Sequence, residues 1–240
     1  MKKPDKNYYV FKPGWIGYAS SANLGINSSE HQFILELYLD WKVSLRFYPT
    51  GFGIFEIVGQ TGQDITFYDR TEHPHQHCVQ IYDKNIWSTF RIHHNVSDFS
   101  VITILINNLS VYIYIDGIKL MVGTIINLLD FSGNGMKLFN CGYSVNQRFA
   151  NFLYGVRIWS YNNSMPSLSE CEKEIVKRAR NPWQRSRVFG DSNLKAEWLL
   201  NEDIPINSTV IPNSANPGVG DLPIYPSNTW GNVRQLYKMP

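Results

Sequence analysis

Short stretches whose side chains alternate with a period of two recur from residue 33 to residue 124, each cut off by Gly, Asn, Asp or Pro. No other feature constrains the fold as strongly, because a period of two belongs to strands and a period of 3.6 to helices. In Phe33–Trp41 (FILELYLDW), Phe33, Leu35, Leu37, Leu39 and Trp41 fall on one face, and Ile34, Glu36, Tyr38 and Asp40 on the other. That is the pattern of a strand with one buried face. Val43–Tyr48, Gly53–Val58, Ile65–Tyr68, Cys78–Tyr82, Trp87–His93, Ser100–Ile106, Leu109–Ile115 and Lys119–Thr124 follow. Asp116-Gly117 joins two of these runs as a two-residue hairpin, since Gly tolerates the positive φ of a primed turn. Asn107-Asn108 is read as the same device one hairpin earlier. Aromatic residues make up 14% of the chain, and they favour pleated, half-buried surfaces. Many short strands with close-set turns predict an all-β sandwich or barrel.

One helix is predicted, over roughly residues 168–180. Ser167 with Glu170 matches a capping box, and Leu168, Cys171, Ile175 and Ala179 then share one face. Asn181-Pro182 ends it. A lone helix this short must lie against the strands. Leu194–Leu200 (LKAEWLL) reads as a further strand, and a Pro/Asn/Gly-rich tail runs over 203–240, where Val210-Ile211, Leu222–Tyr225 and Trp230 are candidates for short strands or anchors. No internal repeat or linker divides the 240 residues, so one domain over 1–240 is expected, with its core at about 20–202.

The formal net charge of +2 is too small to indicate a polyanionic partner by itself. Cys78, Cys141 and Cys171 are odd in number and widely spaced, which argues for reduced, buried thiols over a disulfide framework or zinc knuckle. The N-terminus MKKPDKNYYVF lacks an apolar signal region, and no stretch of about 18 apolar residues exists to span a membrane. No P-loop, GxSxG, HExxH, GxGxxG or CxxC occurs, which removes the common nucleotide, hydrolase and redox readings.

Several segments, in order, resemble the laminin G-like branch of the concanavalin A-like lectin and glucanase jelly rolls. Phe33–Leu39 (FILELYL) is similar to that family's early strand, and Tyr114–Gly117 (YIDG) to its hairpin. Gly155–Trp159 (GVRIW), with Leu168-Ser169 and Glu170, is similar to its strand-and-helix segment. Trp87–Ile92 stands where the family often has a Trp-His-rich strand, and Leu194–Glu202 resembles a strand that normally opens such a repeat. Here that strand follows the helix, and it is read as closing the same sandwich. The resemblance implies a two-sheet antiparallel jelly-roll sandwich with one short helix, usually a binding module for sugars or proteins. Fold alone does not settle function.

Candidate chemistry is sparse. Glu36 and Asp40 sit at i and i+4 of one strand and would face the concave sheet of such a fold. Retaining glycosidases need two carboxyls about 5 Å apart, and related laminarinases place a third acid where this chain has Tyr38. The packing reading of Glu36 is preferred. His73, His75 and His77 alternate in HPHQH, and His93-His94 lie on a nearby strand, so imidazoles could converge on zinc. Pro74 and the absence of an acidic partner favour a solvated loop instead. No cofactor is required, and calcium or zinc are the ions to consider. Lys173, Lys177, Arg178, Arg180, Arg185 and Arg187, with Trp183 among them, would suit nucleic acid. Cations at a helix C-terminus serve the macrodipole equally well, and the structural reading is preferred. Trp15, Tyr18, Tyr48, Tyr68, Tyr143 and Tyr161 are loop-side aromatics of the kind sugars stack on, with no one of them singled out as a site. Sequons at Asn27, Asn95, Asn108, Asn162 and Asn207 match what the Asn and Ser content produces.

The first functional expectation is therefore a non-catalytic module that recognises a glycan or a protein partner, without nucleic acid or membrane insertion. A virion or extracellular surface, as an adhesion or decoration component, is favoured over the cytoplasm. The alternatives are a glycoside hydrolase using Glu36 and Asp40, and a structural subunit of a homo-oligomer or larger assembly.

Overall fold

The computed structural model describes residues 8–10, 16–20, 24–40, 52–58, 63–70, 76–83, 86–93, 99–132, 135–138, 152–199, 210–225 and 235–237. In chain order they form β1 (Tyr8–Val10), β2 (Ile16–Ser20), β3 (Gln32–Asp40), β4 (Phe52–Val58), β5 (Gln63–Arg70), β6 (Gln76–Asp83), β7 (Ile86–His93) and β8 (Phe99–Asn107). Then come β9 (Ser110–Ile115), β10 (Ile118–Thr124), β11 (Gly135–Leu138), β12 (Phe152–Tyr161), α1 (Leu168–Arg180), a 3-10 turn at Asp191–Asn193, and β13 (Leu194–Leu199). β14 (Val210–Ile211), β15 (Leu222–Tyr225) and β16 (Gln235–Tyr237) complete the series. The predicted strand Val43–Tyr48 and anchor Trp230 lie outside the described residues.

β10-β9-β8-β3-β12-β13 make a six-stranded sheet and β14-β15-β2-β11-β4-β5-β6-β7 an eight-stranded one, while β1 pairs with β16. All these pairings are antiparallel. One face of each sheet meets the other. Leu35, Leu37, Ile104, Ile113, Val156 and Trp198 from the first pack with Ile65, Val79, Ile81 and Ile92 from the second in one apolar cluster. Each such side chain contributes roughly 1.5–3 kcal/mol on leaving water. The edges close at Gly123 of β10, where a Cβ would come 2.1 Å from the Phe90 ring of β7.

The expectation that Phe33–Trp41 has one buried face is corrected. From Gln32 to Tyr38 both faces of β3 are buried, because a second layer covers the outer side of its sheet. Ile34, Leu105, Tyr114, Trp159 and Tyr161 pack there against Cys171 and Ile175 of α1, and against Phe189 and Leu194 beyond it. The helix begins as read: Ser167 Oγ accepts from the Glu170 amide (3.3 Å) and the Glu170 carboxylate accepts from the Ser167 amide (3.0 Å). Asn181 ends it.

Asp116 (φ 53°) and Gly117 (φ 80°) form the primed turn between β9 and β10. The preceding hairpin turns on Asn108-Leu109, one residue later than expected, because Asn107 pairs with Ser110; Asn108 takes the positive φ of 54°. LKAEWL of the expected strand becomes β13, paired with β12, and the tail supplies β14 and β15, which join the eight-stranded sheet through β2. Buried Asn213 ties that tail to the free edge of β13. Its Oδ1 accepts from the Glu197 amide (2.9 Å) and its Nδ2 donates to the Lys195 carbonyl (3.0 Å). A side chain thus satisfies groups that an edge strand would leave exposed.

Candidate functional site

Three strands each place one charged residue in the middle of an apolar run, and the register lines them up. Glu36 of β3 stands opposite Arg157 of β12, which stands opposite Glu197 of β13. All three lie on the outer face of the six-stranded sheet, under α1, and each is at most 4% exposed. Arg178 enters from the helix and clamps Glu36 at both oxygens, Nε to Oε1 and Nη2 to Oε2, each at 2.5 Å. The Tyr38 hydroxyl donates to the same carboxylate and receives Arg157 Nη1 at 2.8 Å. Arg157 Nε donates to Glu197 Oε2 (2.5 Å), and Arg185 holds the other oxygen from the rim (2.9 Å).

The guanidiniums also reach backbone: Arg157 donates to the carbonyls of Pro182 and Trp183, and Arg178 to that of Gln184. The network therefore fixes the turn after the helix, and Trp183 packs against Tyr38 and Phe99. Burial would lower the Arg178 pKa, but the Glu36 charge beside it raises it overall. Burial would raise the Glu197 carboxyl; the Arg185 hydrogen bond and the Arg157 charge outweigh that and hold it below its ordinary value.

This arrangement corrects the hydrolase candidate. Glu36 is fully buried, with both oxygens bonded to Arg178 and Tyr38, so it cannot reach a sugar as nucleophile or acid. The side chain of Asp40 lies outside the described residues. The network was findable in sequence as Glu36, Arg157 and Glu197, each a lone charge amid alternating apolar residues. It also absorbs much of the basic run, since Arg178 and Arg185 are spent on Glu36 and Glu197, and Trp183 on packing.

The other expected residues scatter. His73, His75 and His94 lie outside the described residues; in β7 the backbone of His93 pairs with Gln76, one position out of step with His77, which pairs with Ile92. Among the described residues no group of three or more His, Cys, Asp or Glu is placed to hold a metal. Cys171 is free and buried, and burial pushes its thiol up to about 11; Cys141 and the side chain of Cys78 lie outside the described residues. Tyr161 is a packing residue, buried with its hydroxyl donating to the Phe189 carbonyl at 2.9 Å. Trp15, Tyr48 and Tyr143 lie outside the described residues, and Tyr18 and Tyr68 are placed only as backbone in β2 and β5.

The outer face of the eight-stranded sheet is composed differently. Core residues Ile65, Val79, Ile81, Phe90 and Ile92 set which positions of β5, β6 and β7 belong to the inner face. The alternate positions share the outer face. There the register aligns Thr66, Gln80 and Thr89 in one row, with the directly opposed pair Tyr82 and Trp87 one row away. Thr89 and Arg91 of this face are solvent-exposed. No helix among the described residues is long and apolar enough to cross a membrane.

No family model matches the chain, and no curated protein matches it by sequence. Solved structures do match. A provisionally assigned carbohydrate binding protein from Bacteroides ovatus is 13% identical and superposes with a TM-score of 0.61 over 100% of this chain, which spans 62% of that protein's length. The CBM40 of a Ruminococcus gnavus IT-sialidase, solved bound to α2,3-sialyllactose, is 9% identical with a TM-score of 0.50, over 72% of this chain and 97% of that one. At such identities the likeness speaks to fold. Two antiparallel sheets packed face to face, with one α-helix among the described residues, give the chain a concanavalin A-like jelly-roll fold, and these likenesses share that fold.

Proposed function

We propose that the chain is a non-catalytic recognition module that binds a glycan on the outer face of its eight-stranded sheet. The observation that carries this reading is the sealing of the opposite face: the six-stranded sheet is covered by α1 and residues 181–194. Of the two broad surfaces a sandwich offers, the other is covered by no helix among the described residues. On it Tyr82 and Trp87 hold directly opposed register positions, and Tyr and Trp are residue types on which sugars stack. Thr66, Gln80 and Thr89 hold one row of register positions beside them, residue types that hydrogen-bond sugar hydroxyls. Both solved structures described above are carbohydrate-binding by name.

The whole of 1–240 acts as one unit in this proposal, supported by an apolar cluster that draws residues from Leu24 to Leu222. A virion or cell surface is where such a module would meet glycans and serve in adhesion.

A glycan array on the purified chain tests the reading, with sugar release followed over time. Binding without turnover, weakened by Tyr82→Ala with Trp87→Ala, is expected. Turnover would restore the hydrolase reading. Absence of glycan binding, together with a stable oligomer by light scattering, would replace it with an assembly role.

A further inference from the structure

On the side of the sandwich away from the proposed glycan face, the β9–β10 turn and the C-terminal half of α1 enclose a groove of about 500 Å³. It is lined by Asp116, Gly117, Ile118, Val176, Ala179 and Arg180. Its floor is the contact of turn and helix, where a Cβ on Gly117 would lie 3.0 Å from Val176 Cα and 3.2 Å from Ala179 Cβ. Its walls are aliphatic: Ile118 is 54% and Val176 43% exposed. Its carboxylate is turned inward, for Asp116 Oδ1 accepts from the Val101 amide (2.9 Å) and Oδ2 from Ser100 Oγ (3.1 Å).

Its cation is uncommitted. Arg180 is exposed and makes no ion pair or hydrogen bond with any described residue. The cations around it behave otherwise: Lys119 pairs with Glu172, Lys177 with Glu174, Arg178 with Glu36 and Arg185 with Glu197.

An unpaired guanidinium beside two exposed aliphatic side chains calls for a ligand that carries a carboxylate and an apolar group close together. Sugars would ask for an aromatic plane, and the described residues that line the groove include none. We propose that this groove captures the C-terminal end of a partner protein, its apolar last side chain seated between Ile118 and Val176 and its carboxylate held by Arg180. Guanidinium recognises carboxylate through two parallel hydrogen bonds, and chain-end capture is an established recognition mode. The site is independent of the glycan reading and stands or falls apart from it, because the two surfaces belong to different sheets.

Titrating the ¹⁵N-labelled full chain with N-acetyl-L-leucine, the smallest apolar chain end, tests the proposal. Saturable amide shifts over residues 116–118 and 176–180 are expected. Arg180→Gln, which keeps helix propensity, should weaken binding about tenfold, the loss of one charged hydrogen-bonding partner. N-acetyl-L-leucinamide, which lacks the carboxylate, should bind the unaltered chain more weakly by a similar factor, and Lys173→Gln should change nothing. The proposal is overturned if no saturable shift appears at these amides, or if the amide probe or Arg180→Gln binds equally well. Hexanoate binding as tightly as N-acetyl-L-leucine would also overturn it, since the ligand would then be a simple fatty acid.

Discussion

The outer face of the six-stranded sheet lies beneath a helix and a loop, and its polar residues are turned into fasteners. Glu36, Arg157 and Glu197 bond to the covering layer rather than to water. The outer face of the eight-stranded sheet carries polar and aromatic register positions, and Thr89 and Arg91 on it meet solvent. Charge on the covered face holds structure together; polarity on the other is what the proposed recognition would use. A carboxylate in the middle of a strand of such a sandwich is therefore not evidence of catalysis until the burial of its face is known.

The comparison breaks most visibly at the buried ion pairs. Glu36→Leu or Arg178→Met alone should destabilise the chain by about 3–5 kcal/mol, because each leaves one uncompensated buried charge. The double substitution should lie closer to the unaltered protein than either single change; urea unfolding checks this. A smaller loss, about 1–3 kcal/mol, is expected for Gly117→Ala. A Cβ there meets the Val176 backbone at 3.0 Å at a φ of 80°, and backbone cannot swing aside.

Glu197 sharpens the comparison through pH. Its folded-state pKa is held below the unfolded value, so its contribution is present above the ordinary glutamate range of about 4.3 and is lost as pH falls through the folded value. Glu197→Gln should flatten the acid side of the stability profile between pH 6 and 3, read as urea midpoints. The smallest effect belongs to the other face: Arg91→Ala should change stability by less than about 0.5 kcal/mol, since no partner among the described residues is lost.

Much of the fold was legible in the chain. Period-two alternation located β3 through β10, with bounds within two residues of those seen, because a strand's side-chain rhythm is local. Ser167, Glu170 and Asn181 bounded the helix for the same reason. What alternation could not show was that both faces of β3 are buried. That depends on where a helix more than a hundred residues away comes to rest, and only tertiary packing decides it. Asn107-Asn108 missed the turn by one residue because either Asn tolerates positive φ, and strand register chose Asn108. Of the candidate site residues, Glu36, Arg178 and Trp183 proved to be packing groups, as a lone charge or aromatic amid apolar neighbours more often is.

The central proposal, that recognition belongs to the outer face of the eight-stranded sheet, is tested most directly by the affinity of one array-selected glycan for two double variants. Calorimetric titration should show Tyr82→Ala with Trp87→Ala weakening binding about tenfold or more, the loss of two stacking contacts. Lys173→Gln with Lys177→Gln, on the helix over the sealed face, should leave it unchanged. Affinity lost with the lysines and kept without the aromatic pair would contradict the account.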